Sequence, residues 1–224
     1  MSGPLSIAII GNGYWGKNYV RVLGKTPDAN LVAVCDKSEE RLVDLRKQCN
    51  PPALVNDVNQ LLELPELDAV IVCTNPSSHY QIAKTFLDAG KHVLLEKPMT
   101  VNSEQANELA KLSIKTNLTL MVGHIFLYNP AVERIKSYIT NGDVGEIHYL
   151  YSRRTNLGPI REDVNVIWDL APHDISISNY LLDSQPEWVS ANGKRFLKSS
   201  CEDVAFIVLS YPNGVIGQIH VSWA

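Results

Sequence analysis

Apolar and polar residues alternate in two different rhythms along this chain of 224 residues. Up to about residue 123, short apolar runs alternate with amphipathic stretches, and short polar turns join them. These runs predict strands at 5–10, 31–35, 53–55, 69–74, 92–96 and 118–122 and helices at 16–23, 38–49, 58–62, 78–89 and 102–116. Repeated alternation of strand and helix with short connections predicts a doubly wound parallel sheet.

After residue 123 the pattern changes. Helices are predicted at 129–141 and 172–182, and strands at 146–154, 187–192, 204–210 and 215–224. The tripeptide Pro212-Asn213-Gly214 predicts a tight hairpin between the last two strands. Alternate residues of the last strand are apolar, namely Val215, Gly217, Ile219, Val221 and Trp223, which predicts an antiparallel sheet covered on one face. We therefore predict two domains, residues 1–123 and residues 124–224.

The last predicted strand stops in mid-pattern at Ala224. A strand that ends there would give its sheet a long open edge, which proteins normally protect. We therefore expect that the chain is a fragment or that a partner covers this edge.

Composition narrows the class of protein. The net charge of −4 offers no basic surface for nucleic acid or for anionic lipid, and the apolar runs are too short to span a bilayer. The N-terminus lacks the charged-then-apolar order of a signal peptide. Four cysteines without paired metal spacing indicate free thiols and no metal site. Free thiols are typical of a reducing compartment, so we expect a cytoplasmic protein.

Three glycines, Gly11, Gly13 and Gly16, follow the first predicted strand and open the first helix. At this spacing the first glycine permits a tight turn, the second lets backbone approach a pyrophosphate, and the third allows close packing of helix on sheet. The helix N-terminus offers free N–H groups to phosphates. A purely structural turn is the alternative. The intervening Asn12, Tyr14 and Trp15 belong to the same predicted cofactor site.

An acidic residue, Asp36, ends the second predicted strand, twenty positions after Gly16. A carboxylate there accepts hydrogen bonds from the adenosine ribose and repels a 2′-phosphate, which favours NAD over NADP. The neighbouring Lys37 and Ser38 soften that repulsion, so the predicted preference for NAD is moderate.

Two more segments follow predicted strands at the sheet edge where ligands bind in parallel sheets. In the loop that begins at Thr74, Asn75 is a candidate contact to the cofactor ribose, and His79 either lines the pocket or packs structurally. Thr74 is a further candidate cofactor contact, and so are Glu96 and Lys97, which precede Pro98. A lysine after a buried apolar strand is costly without compensation, so Lys97 is a candidate catalytic residue. The alternative is a structural ion pair with Glu96.

Asp169 and His173 lie four positions apart in the second predicted domain. If the segment is helical from Asp169, both side chains lie on one face of the helix. If Pro172 is instead the first helical residue, Asp169 precedes the helix. Histidine is the usual proton acceptor from an alcohol near neutral pH. The structural alternative makes Asp169 a helix cap and His173 a core residue.

Three arginines, Arg153, Arg154 and Arg161, precede Asp169. Arginine binds phosphate or carboxylate bidentately, so we predict an anionic sugar substrate such as a nucleotide sugar. Solvated surface charge is the alternative.

With these motifs, the whole chain resembles the first two thirds of the Gfo/Idh/MocA family of nicotinamide-dependent sugar and cyclitol oxidoreductases. The resemblance implies a Rossmann domain followed by an α/β domain with an open, mostly antiparallel sheet. It also implies that Lys97, Asp169 and His173 surround the reacting carbinol and the nicotinamide, and that Tyr128 and Asn129 line the substrate pocket. Ala171-Pro172 stands where the family often has glycine between the catalytic Asp and His.

The resemblance also leaves a different class open, because the same fold serves as an NAD-binding regulatory protein without turnover. Family oligomers bury the open sheet face of the second domain. We therefore expect a homodimer or homotetramer joined sheet to sheet, with the two helices of that domain on the other face.

Overall fold

The computed structural model describes residues 3–48, 53–157, 160–197 and 200–224. The chain divides into two compact units, Met1–Gly123 and His124–Ala224, and each unit has its own hydrophobic core. The predicted end of the second helix at Cys49 lies outside the described residues.

The first unit contains a sheet of six parallel strands in the order β3-β2-β1-β4-β5-β6. These strands are β1 Leu5–Ile10, β2 Ala29–Cys35, β3 Ala53–Val55, β4 Ala69–Val72, β5 His92–Leu95 and β6 Leu120–Val122. The helices are α1 Tyr14–Leu23, α2 Glu39–Gln48, α3 Pro76–Asp88 and α4 Ser103–Thr116, with a 3-10 helix at Val58–Glu63. This arrangement confirms the predicted doubly wound sheet. The strand order reverses between β1 and β4, the position where such sheets bind ligands.

Both faces of this sheet are buried, which explains the continuous apolar runs of the sequence. On β1, Ile9 packs into a core with Val34, and the next residue, Ile10, packs into the core on the opposite face with Phe86 of α3. Successive strand residues point to opposite faces, so each strand contributes to both cores.

The helices differ from the sequence prediction mainly at their first turns. Helix α1 begins at Tyr14 with Gly13 as its N-cap, two residues before the predicted start. Helix α3 begins at Pro76, because proline has the dihedral angle of a first helical residue and lacks only an N–H that would be unpaired there. Asn102 is the N-cap of α4, where its side chain accepts backbone hydrogen bonds.

The second unit contains a four-stranded sheet in the order β7-β10-β9-β8. Its strands are β7 Tyr149–Thr155, β8 Trp188–Lys194, β9 Val204–Ser210 and β10 Ile216–Ser222, its helices are α5 Pro130–Thr140 and α6 Val166–Leu182, and 3-10 helices lie at Ile125–Tyr128 and Pro212–Gly214. Only the β7–β10 pair is parallel, so the predicted mostly antiparallel sheet is confirmed. The predicted open edge at the last strand is wrong, because β10 pairs on both sides.

One face of this sheet is covered by α6, which contacts β7, β9 and β10. The apolar alternation of the last strand is confirmed, since Ile219, Val221 and Trp223 are buried. Helix α5 packs on α6, whereas we had expected both helices to lie on the sheet. Every residue of β8 is exposed. None of the described helices is long and apolar enough to cross a membrane.

Helix α6 begins at Val166, six residues before the predicted start at Pro172. The side chain of Asn165 caps it by accepting a hydrogen bond from the Trp168 N–H. Pro172 lies inside the helix and removes one backbone donor without ending it. Asp169 and His173 therefore lie one turn apart on the same helix, as in the first of the two predicted alternatives.

Candidate functional site

In the glycine turn after β1, two of the three glycine positions have no space for a side chain. Gly11 has φ +94°, and a Cβ there would lie 2.9 Å from the carbonyl carbon of Cys73. A Cβ on Gly16 would lie 2.0 Å from the Gly11 carbonyl oxygen. A Cβ on Gly13 would meet no atom within 4 Å, so this backbone faces open space. The turn is tight where helix meets sheet and open where a ligand would approach.

The N-terminus of α1 is suited to an anion. Its N-cap, Gly13, supplies no side-chain cap, and the first turn carries no acidic residue. A cavity of about 490 Å³ lies there, lined by Asn12, Gly13, Tyr14, Lys17, Asn18 and Arg41. The N–H groups of the first helical turn, the helix dipole and two cationic side chains all favour a phosphate group. These residues fit the pyrophosphate of a dinucleotide.

Asp36 is buried and fixed at the end of β2. One carboxylate oxygen accepts the Asn12 N–H at 2.7 Å, and the other accepts the Ser38 N–H at 2.8 Å. The guanidinium of Arg41 lies 3.4 Å from Asp36. The side-chain oxygen of Asn12 is buried without a hydrogen-bond partner in the described part of the chain. The carboxylate of Asp36 therefore adjoins the glycine turn. Arg41 is a further cation beside it, in addition to the predicted neighbour Lys37.

His79 does not line a pocket, because its side chain is fully buried. Its Nδ1 lies 2.9 Å from the Pro98 carbonyl oxygen and its Nε2 lies 3.0 Å from the Thr74 carbonyl oxygen. Burial lowers the pKa of this imidazole. The ring thus joins the two loops that follow β4 and β5, which is the structural alternative. Asn75, by contrast, is exposed and makes no side-chain cap for α3.

Glu96 lies buried after β5, and each of its carboxylate oxygens already accepts a hydrogen bond from the chain. The Tyr19 hydroxyl donates to Oε1 at 2.9 Å, and the Lys97 N–H lies 3.2 Å from Oε2. Burial and the Glu96 charge raise the pKa of Tyr19 far above its usual range. A Cβ on Gly123 would lie 3.2 Å from the same carboxylate. Glu96 therefore fixes the backbone from which the partly exposed Lys97 projects.

In the second unit, an indole and a guanidinium hold the carboxylate of Asp169. The indole Nε1 of Trp223 donates to Oδ2 at 3.1 Å, and Nη1 of Arg161 donates to Oδ1 at 3.4 Å. Arg161 also pairs bidentately with Asp163, at 2.9 and 2.6 Å. Asp169 therefore has a defined orientation in the first turn of α6, where its charge also suits the helix dipole.

His173 lies one turn further along α6 and is largely buried. The ring of Phe126 meets its imidazole edge to face, with centroids 4.7 Å apart. The other predicted substrate residues nearby are Tyr128, which is exposed, and Asn129, whose side chain caps α5 by accepting the Ala131 N–H at 2.9 Å. Part of the hydrogen-bonding capacity of Asn129 is therefore already used.

Two of the three arginines proposed for an anionic sugar are paired with carboxylates of the chain. Arg154 donates two hydrogen bonds to Asp174, at 2.7 and 3.3 Å, and Arg161 is bound to carboxylates as described above. Arg153 is the neighbour of Arg154 on β7, so it points to the opposite face of the sheet. It lies in register with His220 of β10.

Sequence reasoning missed the contributions of Lys17, Tyr19, Arg41 and Trp223. Lys17 lies one turn after the N-cap Gly13 and Arg41 lies five residues after Asp36, so their spacing was a usable signal. Tyr19 and Trp223 contact residues 77 and 54 positions away, and no local pattern marks such pairs.

Comparison with known proteins gives one family for both units. Residues 5–124 match the model of an oxidoreductase family with an NAD-binding Rossmann fold, and residues 132–224 match the Gfo/Idh/MocA C-terminal domain. Myo-inositol 2-dehydrogenase of Thermotoga maritima is 27% identical over 96% of this chain and 67% of its own length. UDP-N-acetylglucosamine 3-dehydrogenase of Acidithiobacillus ferrooxidans is 29% identical over 96% of this chain and 66% of its own length.

Solved structures share the fold. GenD2 from gentamicin A biosynthesis, solved in complex with NAD, has a TM-score of 0.92 at 24% identity, covering all of this chain and 67% of its own. A protein from Magnetospirillum magnetotacticum has a TM-score of 0.87 at 31% identity, covering 99% of this chain and 71% of its own. The chain spans about two thirds of the length of the curated relatives above. This chain belongs to the Gfo/Idh/MocA family of NAD-binding oxidoreductases.

Proposed function

We propose that this protein is an NAD-dependent dehydrogenase that oxidises a secondary alcohol of a sugar or cyclitol. The observation that carries the proposal is the pair Asp169 and His173, one turn apart on α6, with Asp169 held by Trp223 and Arg161. A carboxylate of fixed orientation beside an imidazole is the arrangement expected for proton transfer from a hydroxyl. The cofactor, NAD, is inferred from the family. Lys97 is proposed as a third polar group at the reacting hydroxyl.

In the proposed reaction the carbinol C–H bond breaks, and its hydrogen leaves with both bonding electrons. NAD, held at the glycine turn and Asp36, would supply the acceptor for this hydride. His173 accepts the hydroxyl proton, so the products are a ketone, NADH and a proton released through His173. Lys97 donates a hydrogen bond to the reacting oxygen, and Asp169 orients the substrate or His173. The alcohol loses two electrons, which balances the hydride gained by the cofactor.

The cofactor is held by residues of the first unit in this proposal. The α1 N-terminus and Lys17 would bind the pyrophosphate, and Asp36 would accept hydrogen bonds from the ribose hydroxyls of NAD. Thr74 and Asn75 contact the cofactor from the loop after β4. The buried, fixed carboxylate of Asp36 disfavours a 2′-phosphate, although Arg41 beside it reduces the repulsion.

A neutral polyol is the substrate class that the side chains favour. Two relatives act, by name, on inositol and on UDP-N-acetylglucosamine. The charges of Arg154 and Arg161 are already matched by Asp174, Asp163 and Asp169. This pairing reduces the support for our sequence-based preference for an anionic nucleotide sugar. We therefore propose a cyclitol or neutral sugar, with the nucleotide sugar as the competing class.

NADH formation tests the function. The chain, and any longer form of the protein, is mixed with NAD and in turn with myo-inositol, scyllo-inositol, glucose and UDP-N-acetylglucosamine. Activity with a neutral polyol supports the proposal, and activity with UDP-N-acetylglucosamine alone assigns the competing class. NAD binding by calorimetry without turnover of any compound, in both forms, favours the regulatory alternative instead.

We also propose a cytoplasmic homodimer or homotetramer that buries the open face of the second sheet. This face presents the exposed side chains of Tyr149, Tyr151, Phe206 and Ile216, which are in neighbouring rows of the sheet. Aromatic residues are enriched in such interfaces. Light scattering on wild type and on the variant Tyr151→Glu tests this. A monomeric wild type, in the chain and in any longer form, contradicts the proposal.

A further inference from the structure

We infer that Arg154 and Phe126 are positioning residues that set the ring orientation of His173. Arg154 serves the reaction through this stack and not by binding an anionic substrate. The inference deepens the proposed function and rests on it for the role of His173 as proton acceptor. All the groups involved belong to the second unit.

The first element of the stack is a buried ion pair. Arg154 of β7 directs Nε and Nη2 to the two carboxylate oxygens of Asp174, at 2.7 and 3.3 Å. Asp174 is almost fully buried and directly follows His173 on α6. A two-point contact fixes the plane of the guanidinium as well as its position. Asp174 thus neutralises the charge of Arg154, and the planar face of the guanidinium is available for packing.

That planar group covers one side of Phe126. The Arg154 Cζ lies 4.4 Å from the centroid of the Phe126 ring, within the range of a cation–π contact. The same ring meets the His173 imidazole at 4.7 Å with an interplanar angle of 68°, a favourable edge-to-face geometry. Phe126 therefore contacts both the guanidinium and the imidazole, and the position of its ring couples the two groups.

A fixed ring orientation makes His173 a more effective proton acceptor. Rotation of an imidazole about its last side-chain bond is broad and roughly two-fold, so neighbouring atoms decide where its nitrogens point. Phe126 restricts the ring from one side, and Arg154 prevents Phe126 from moving away. Loss of the stack leaves His173 in place on α6 but widens the range of its ring. Displacement of a reacting group by about 1 Å can reduce rate by about a hundredfold.

The same unit contains a matched control. The rings of Phe206 and His220 stack at 4.3 Å with an interplanar angle of 13°. Phe206 and His220 lie in register on β9 and β10, and Arg153 is in register with His220 on the other side. This second Phe–His–Arg row lies on the sheet face opposite α6. Substitutions in it probe histidine packing without touching the Arg154 stack.

The test begins with NMR of the full 224-residue chain with NAD, with its histidine rings labelled with ¹⁵N. The His173 ring signals are assigned by their loss in His173→Gln. We expect Arg154→Met and Phe126→Leu each to move the His173 ring-proton shifts toward random-coil values, and Phe126→Tyr to retain them. Phe126→Leu leaves the Arg154–Asp174 pair intact, so it stays informative if Arg154→Met fails to fold.

The controls are Arg153→Met, which should leave the His173 signals in place, and Phe206→Leu, which should move only the His220 signals. Unchanged His173 signals in both Arg154→Met and Phe126→Leu overturn the inference. Equal displacement by Arg153→Met overturns it as well, because the effect would then not be specific to the stack.

Turnover with myo-inositol and NAD supplies the second readout. Phe126→Leu should lower kcat by about tenfold with KM changed less than about twofold, and Phe126→Tyr should restore kcat. A rise in KM alone contradicts a positioning role, because it indicates lost substrate binding. If the wild type turns over no compound, the proposed function fails, and the NMR signals still decide whether Arg154 and Phe126 orient the ring.

Discussion

The indole Nε1 of Trp223 donates a hydrogen bond to Oδ2 of Asp169 across 3.1 Å, and so joins the residue after β10 to the first turn of α6. Trp223 is almost completely buried, and the second oxygen of Asp169 is bound by Arg161. The carboxylate therefore cannot rotate without losing a hydrogen bond to a buried donor. This relationship makes the end of the sheet part of the candidate catalytic site.

Replacement of Trp223 by Phe should separate this role from packing. Trp223→Phe keeps an aromatic ring in the core and removes the N–H donor. We expect the free energy of unfolding to fall by about 1.5–3 kcal/mol, the usual range for a hydrogen bond to a charged group, and kcat to fall with little change in NAD affinity. Urea unfolding and NADH formation measure the two effects. Trp188→Phe, at an exposed position of β8, is the control, and an equal loss there would refute the specific role of Trp223.

Lys97 should matter for turnover and not for cofactor binding. Lys97→Met removes the ammonium and keeps much of the side-chain length, so the reacting oxygen loses a charged hydrogen-bond donor. We expect kcat to fall by about 10²–10⁴-fold while the Kd of NAD, measured by calorimetry, changes little. Lys115→Met, in the last turn of α4, is a matched control. Near-full activity of Lys97→Met would show that the assignment is wrong.

The choice between NAD and NADP should depend on Asp36 and Arg41 together. Asp36→Ser removes the carboxylate that repels a 2′-phosphate and releases Arg41 from its ion pair. We expect the ratio of NADP to NAD affinity to rise by about a hundredfold. The double variant Asp36→Ser, Arg41→Ala should lose most of that gain, because the freed guanidinium is then absent. Calorimetric titration with each cofactor measures the ratio, and an equal gain in both variants excludes the role of Arg41.

Local sequence signals were sufficient for the framework of the fold. The bounds of β1 and β9 were predicted correctly, because each is an apolar run with strand-disfavouring residues close by. These residues are Gly11 after β1, Asp203 before β9 and Pro212 shortly after β9. The glycine turn was recognised from its spacing, and the positive φ of Gly11 and the contact of Gly16 with Gly11 are local requirements. The close approach of Gly11 to Cys73 is not local, and the spacing alone does not show it. The start of α6 was missed, because Pro172 is a strong local signal for a first turn and packing of the helix on the sheet overrides it.

The partners of charged side chains were the part that sequence could not supply. Arg153 and Arg154 are adjacent in sequence and lie on opposite faces of a strand, and the partner of Arg154 is twenty positions away. The sequence contained Asp163, Asp169 and Asp174 but no sign of which arginine each would bind. Pairing of this kind depends on the register of β7 with β10 and on the rotation of α6, which only the folded unit defines.

Two thiols should make the protein sensitive to alkaline pH. Burial and the nearby Asp36 raise the pKa of Cys35 from 9.0 to about 11, and burial and Glu96 raise the pKa of Cys73 further. Above about pH 9 the unfolded chain loses these protons and the folded protein keeps them. The unfolded state then binds fewer protons, so the free energy of unfolding falls as pH rises.

We expect each of the two thiols to contribute a slope of about 1.4 kcal/mol per pH unit between about pH 9 and 11. Urea unfolding under reducing conditions at several pH values measures it, and the double variant Cys35→Ala, Cys73→Ala should show a shallower slope than wild type. Burial and Glu96, the main causes of the raised pKa of Tyr19, persist in the double variant, so most of the Tyr19 contribution cancels in the comparison. Cys201→Ala is the control and should keep the wild-type slope. Equal slopes in wild type and in the double variant would show that neither thiol is held protonated by the fold.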